Sequence, residues 1–232
     1  MNGGLNYSDC LEYYVRITAV FEDGASPISY VKTASIPLTP IELDIVNEAI
    51  LEGITQSENL LPKNHNLSIP INNNGDLFGY IEIYSEEEEV VDYQYEPEVI
   101  NIEESEGPVT KAYNYKYKTW NKQIKYVTPW YIPVPIKWVL TNKGSFEYGK
   151  NSKGYAVVAS VSAQVDAQSQ WPYSNTESKD INKHDKNGSV YRIYGKGKYS
   201  LSAIGSVTYT GYLDIEVNGT GDVKILRAKF DY

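Results

Sequence analysis

Cysteine, methionine, histidine and phenylalanine are scarce in this 232-residue chain, with 1 Cys, 1 Met, 2 His and 4 Phe. A lone Cys10 forms no internal disulfide and assembles no cysteine metal cluster. With His65 and His184 as the whole histidine supply, zinc binding and histidine acid–base work lack their groups. No cofactor and no bound metal is expected. No apolar run reaches the roughly eighteen residues of a transmembrane helix, so no membrane span is expected. The opening MNGGLNYSDC lacks the basic start and apolar stretch of a signal peptide.

Catalytic motifs are also missing. There is no Gly-rich phosphate loop leading into a helix, no Gly-x-Ser-x-Gly elbow and no His-Glu-x-x-His. Tyr194-Gly-Lys-Gly-Lys198 lies between strands, where it reads as a kinked basic strand. Asp180, His184 and Asp185 can face one another around a loop. Asp185-Lys-Asn187-Gly188, however, has too few carboxylates and no closing glutamate for a calcium loop. Glycoside hydrolysis needs two carboxylates about 5 to 10 Å apart. Glu147, Asp166, Glu177, Asp214 and Glu216 are available, and nothing in the pattern singles out a pair. The chain is therefore read as non-enzymatic, with a glycan-acting hydrolase as an alternative.

What the sequence has in abundance is tyrosine, 22 residues, and segregated charge. Tyrosine suits half-buried strands because its ring packs while its hydroxyl reaches water. Residues 1–110 hold 21 acidic and 3 basic side chains, a net of −18, whereas residues 111–232 hold 9 acidic and 18 basic, a net of +9. Such asymmetry points to docking between the halves or to separate electrostatic roles.

Residues 1–38 read as a β-hairpin. Tyr13, Val15, Ile17 and Ala19 alternate with exposed positions, Phe21 to Ala25 supplies a turn, and Ile28 to Ala34 returns. The pattern Tyr13-x-Val15-x-Ile17-x-Ala19-Val20, followed by Glu22-Asp23-Gly24, Ser26-Pro27 and Thr33-Ala34, resembles the last two strands of a fibronectin type III domain. The resemblance implies that Tyr13 is a corner tyrosine with its hydroxyl bonded back to the chain. It also implies further strands ahead of Met1, because that family needs roughly 100 residues.

Residues 39–81 read as a helical connector and a short strand. Thr39-Pro40-Ile41-Glu42 places a capping threonine, a proline in the first turn and a glutamate three residues after the cap. Ile41, Ile45, Val46, Ala49, Ile50 and Ile54 then recur at helical spacing as a core or interdomain stripe. Gly53 weakens the last turn, and Pro62 ends any continuation. Leu77 to Tyr84 is a short strand. Residues 82–110 read as an acidic linker: eleven acidic residues lie between Glu82 and Glu106 with no Lys or Arg. The alternative is an intramolecular decoy lying against the basic half.

Residues 111–232 read as a tyrosine-rich antiparallel β domain. Trp130 to Trp138 alternates, and Pro133 and Pro135 mark it as an edge strand. Tyr155, Val157, Ala159, Val161, Ala163, Val165 and Ala167 give a long strand, and residues 170–188 a polar loop. Gly195 and Gly197 signal a bulge or bend, Asn218 to Asp222 a hairpin loop, and Ile225-Leu226 a bulge-like parity change. The fold class is mainly β, an antiparallel sandwich or open barrel with one short amphipathic helix. Tyr115, Tyr117, Trp120, Lys122 and Lys125, with Trp171 and Tyr173, form the candidate binding surface. The expectation is an extracellular or cell-surface module of bacterial or phage origin that binds a polysaccharide or anionic polymer. A structural virion or surface component is the alternative, and a homo-oligomer fits either. Nucleic acid is not expected, since the chain is acidic overall and poor in arginine.

Overall fold

The computed structural model describes residues 16–18, 29–31, 38–59, 65–73, 76–90, 115–128, 136–185, 188–201 and 207–232. Strands β1 (Arg16–Thr18) and β2 (Ser29–Val31) pair antiparallel, Arg16 opposite Val31. Tyr13, Glu22 and Gly24, which carry the fibronectin resemblance, lie outside the described residues, as do Trp130 to Pro135 and residues 91–114.

The remaining strands build a mainly β sandwich of two antiparallel meanders, not closed into a barrel. The first sheet runs in sequence order through β3 (His65–Asn73), β4 (Asp76–Val90), β5 (Tyr115–Val127), β6 (Lys137–Lys150) and β7 (Ala156–Ser169). The second runs through β8 (Tyr173–Lys183), β9 (Val190–Leu201), β10 (Val207–Asn218) and β11 (Val223–Asp231). Between the sheets the apolar parity of each strand meets its opposite number. Trp138 is the hub: fully buried, its ring lies 4.6 Å from Tyr209, 5.4 Å from Phe230 and 5.6 Å from both Tyr173 and Tyr199. Tyr199 and Tyr209 donate their hydroxyls to the Val139 and Leu38 carbonyls (2.7 and 3.0 Å), so the buried phenols stay satisfied.

Helix α1 (Pro40–Asn59) packs against β3, β4 and β11, bridging the two sheets on one side. Its start follows from the capping pair: the Glu42 N–H donates to Thr39 Oγ1 (3.3 Å) and the Thr39 N–H to Glu42 Oε2 (2.6 Å). Leu43, Val46, Ala49, Ile50 and Ile54 are buried, while Ile41 is 73% exposed. Gly53 does not weaken the end. A Cβ there would sit 2.5 Å from Ile83 Cδ1, so the glycine lets the helix lie close on the sheet. Asn47 shields the edge of β11, donating to the Phe230 carbonyl (2.7 Å) and accepting from its N–H (2.8 Å). On the other side β7 turns directly into β8. There Asn175 Nδ2 (2.6 Å) and Lys179 Nζ donate to the β7 carbonyls of Ala167 and Ala163.

Several sequence expectations are corrected. Residues 82–90 are not linker: they are the second half of β4, paired residue by residue with β5 from Glu82↔Lys125 to Val90↔Tyr117. Lysines on the facing strand neutralise a run that looks solvated when read alone. Residues 173–183 are strand, not loop. An edge strand exposed on both faces has no alternation to betray it, and β8 pairs with β9 throughout. Gly195 and Gly197 insert no bulge in β9, whose register with β8 runs through both without a shift. A Cβ at Gly195 would stand 2.6 Å from the Leu213 carbonyl oxygen, and one at Gly197 3.0 Å from Ala167 Cβ, so both permit close packing. In β7 the register slips opposite Glu147/Tyr148, leaving Ala159 exposed and Val158 buried. The β11 parity change is real: the register shifts opposite Asp214/Ile215 and Leu226 is the extra residue.

Candidate functional site

Alternation divides the candidate surface between two faces. On β5, Lys118, Trp120, Lys122, Ile124 and Tyr126 point inward, whereas Tyr115, Tyr117, Thr119, Asn121, Gln123 and Lys125 point outward. Trp120 is 2% exposed, donates its indole N–H to Asn142 Oδ1 (3.2 Å) and lies against Phe146. Lys122 is 6% exposed. Neither forms part of a surface platform. Tyr173 is buried against Trp138, while Trp171, two residues earlier, stands 75% exposed on the corner between the sheets. Tyr115, Tyr117 and Lys125 share the outer parity of β5, spread along the strand; Trp120, Lys122 and Tyr173 do not lie on that face.

The inward face of the first sheet changes character along its strands. Ile81 and Ile83 face Tyr126 and Ile124 across the ladder, under α1 and the second sheet. The next row is His65–Ser85–Lys122–Asn142, each residue opposite the next on β3, β4, β5 and β6. Lys122 Nζ donates to Ser85 Oγ (2.6 Å) and to Glu87 Oε1, and Lys118 Nζ reaches Glu87 Oε2 (2.7 Å) and the Gly221 carbonyl (2.8 Å). Asn142 donates to the Leu213 carbonyl of the second sheet (2.9 Å). Burial alone would raise the Glu87 carboxyl. Hydrogen bonds and charge from Lys118 and Lys122 outweigh it and hold the group below its ordinary value. Burial lowers the Lys122 ammonium, only partly opposed by Glu87. His65 is lowered by burial and then by the Lys122 charge, and its ring nitrogens have no hydrogen-bond partner among the described residues. With Lys122 tied to a carboxylate and Ser85 2% exposed, this corner is a structural network, not an open nucleophile–base pair.

The outer face is polar, and its tyrosines, amides and Lys125 are half-buried. Lys125 pairs with Glu82 (2.5 Å) and lies over the Tyr80 ring (5.8 Å). Gln123 Nε2 donates to Thr141 Oγ1 (3.0 Å), and Tyr84 to Glu86 (2.6 Å). Tyr80 and Tyr84 complete a tyrosine-and-amide surface with Tyr117 and Gln123. Sequence reasoning missed them, although Tyr80-x-Glu82-x-Tyr84 alternates as plainly as β5 does.

Four of the five carboxylates considered for hydrolysis are engaged by neighbouring side chains. Asp214, 3% exposed, accepts from Arg227 Nε (2.7 Å) and the Gly195 N–H (3.2 Å); burial raises it against these bonds. Glu216 accepts from Arg192 (2.8 Å), Asp166 pairs with Lys143 (3.2 Å), and Glu147 accepts from Ser160 (3.0 Å). Asp185 accepts from the Val190 N–H (3.0 Å), closing the β8–β9 turn. The described residues contain no group of three His, Cys, Asp or Glu placed to hold a metal ion, and no helix among them is long and apolar enough to cross a membrane. The chain matches no family model, and no curated protein or solved structure shows significant similarity to it.

Proposed function

We propose that the chain is a non-catalytic, exported or surface-displayed β module that binds an extended glycan on the outer face of its five-stranded sheet. The observation that carries this reading is the outward row shared by β4 and β5. Tyr80, Tyr84, Tyr115 and Tyr117 lie among Asn121, Gln123 and Lys125 on strands 15 and 13 residues long. Phenol rings supply stacking surfaces for sugar rings, and amides bond sugar hydroxyls in either sense.

At this face a neutral glycan fits better than an anionic polymer. Lys125 is the one lysine of β5 on this face and it pairs with Glu82, while Lys116, Lys118 and Lys122 stand on the opposite parity with Glu89 and Glu87. The basic run that favours a polyanion when read from sequence is spent on the neighbouring strand.

Affinity electrophoresis through gels holding neutral soluble polysaccharides tests the reading. At least one polysaccharide should retard the wild type, and Tyr84→Ala with Tyr117→Ala should abolish that retardation. Equal mobility of wild type and double variant in every gel overturns it.

A further inference from the structure

The outer face of the second sheet is electrostatically unlike that of the first. Register aligns Ser178, Lys196, Tyr212 and Lys229 in one row across β8, β9, β10 and β11, with Thr176, Lys198, Thr210 and Asp231 in the next. Three cations crowd one ring. The Arg227 guanidinium lies 4.0 Å from the Tyr212 centroid, and the Lys196 and Lys229 ammonium groups lie 5.9 Å from it. Lys198 is exposed one row away.

Compensation is incomplete. Asp214 takes Arg227 Nε and Asp231 takes Lys229 (2.8 Å), and Asp180, held by Asn182 (2.8 Å), stands opposite Tyr194 in the adjoining row, so four cations face three carboxylates and the patch keeps a net charge of +1. In the flanking row Arg192 is matched by Glu216. This contrasts with β5, where glutamates opposite the lysines hold each ammonium.

We propose that this cluster is a second binding site, for the carboxylates of an acidic polysaccharide, centred on Tyr212. Lys196 and Lys229 stand two strands apart, roughly 10 Å, and so meet successive charges on an extended chain rather than one compact ion. Arg227 stacks on the phenol ring with its Nε held by Asp214, leaving its terminal nitrogens directed by a fixed plane, a geometry suited to carboxylate. Thr176, Ser178 and Thr210 border the cations with hydroxyls that pair with sugar hydroxyls. A nucleic acid is the poorer fit, because the guanidinium occupies the ring face that a base would stack on.

The site is separate from the tyrosine row on the first sheet and is tested separately. Binding of oligogalacturonate, neutral dextran and single-stranded DNA is measured by calorimetry at low and at raised salt. The account expects saturable oligogalacturonate binding that weakens with salt and that excess dextran does not displace. Combining Lys196→Gln, Lys198→Gln and Lys229→Gln should raise Kd about tenfold or more. Removing three positive charges on the other sheet and its turn, with Lys137→Gln, Lys150→Gln and Lys153→Gln, should change it by less than about threefold. Circular dichroism and Tm matching the wild type confirm that the triple variants are folded. Absence of saturable oligogalacturonate binding, equal weakening by both triple variants, or tighter binding of DNA overturns the proposal.

Discussion

Glu87 on β4 lies between Lys118 and Lys122 on β5, one carboxylate oxygen to each ammonium. All three side chains are largely withdrawn from water, at 11, 6 and 7% exposure. This arrangement joins the acidic and basic halves of the chain within one sheet. Removing one member of a buried ionic group costs more than the group contributes, because the charges left behind stay desolvated. Glu87→Gln should destabilise the protein by about 3–5 kcal/mol. Lys122→Met, which leaves Lys118 to pair with Glu87, should cost less than about 1.5 kcal/mol. Urea denaturation of the two variants measures the difference, and equal losses would show that Glu87 does not bridge both lysines.

Acid should unfold the protein in two stages with the same sign. His65 is held below its ordinary value of 6.5, so the unfolded chain takes up its proton first and stability falls as pH drops below about 6.5. Glu87 is held below 4.5, so its contribution is present above that pH and is lost as pH falls through the folded value. Asp214, raised by burial, runs the other way, its burial cost being relieved as it protonates. His65→Leu should flatten the upper part of the stability–pH curve and leave the part below pH 4.5 intact, as read by Tm across a pH series.

Asn47 substitutes for a neighbouring strand at the β11 edge. Asn47→Ala leaves the Phe230 N–H and carbonyl unpaired and should cost about 1–3 kcal/mol. Because an open edge templates pairing with another chain, the variant should also aggregate faster on heating. Light scattering during a thermal ramp checks the second effect independently of the first.

Two positions separate the interior from the surface. A Cβ at Gly144 would stand 2.2 Å from the Ser162 carbonyl oxygen and 2.5 Å from the Trp120 ring, so Gly144→Ala should destabilise by about 1–3 kcal/mol or more. Trp171→Ala, at 75% exposure, should change stability by less than about 0.5 kcal/mol while removing the most exposed indole among the described residues. Stern–Volmer quenching and denaturation of both variants check the pair.

Much of the architecture is legible in the residues. Thr39 and Glu42 mark the helix start because capping is local, and the Ile225-Leu226 parity change marks a bulge because alternation is strict. What is not legible is set across strands. The acidic run at Glu86 to Glu89 reads as a linker until Lys116, Lys118 and Lys122 are seen opposite it. Residues 173–183 carry polar groups on both faces and therefore show no period. The candidate surface mixed Tyr115, Tyr117 and Lys125 with Trp120 and Lys122, although a strand cannot present both parities to one ligand. Aromatic residues occupy both faces of β5, so composition does not say which face is buried; the second sheet and α1 decide it.

The central claim is that the outward parity of β4 and β5 binds glycan while the inward parity forms core. Chemical-shift mapping during titration with a polysaccharide fragment that retards the protein tests it most directly. The account predicts perturbation of Tyr80, Tyr84, Tyr117 and Gln123, alternating with unperturbed side chains at Trp120, Lys122 and Tyr126. Perturbation centred on the inward set, or on neither set, would contradict it.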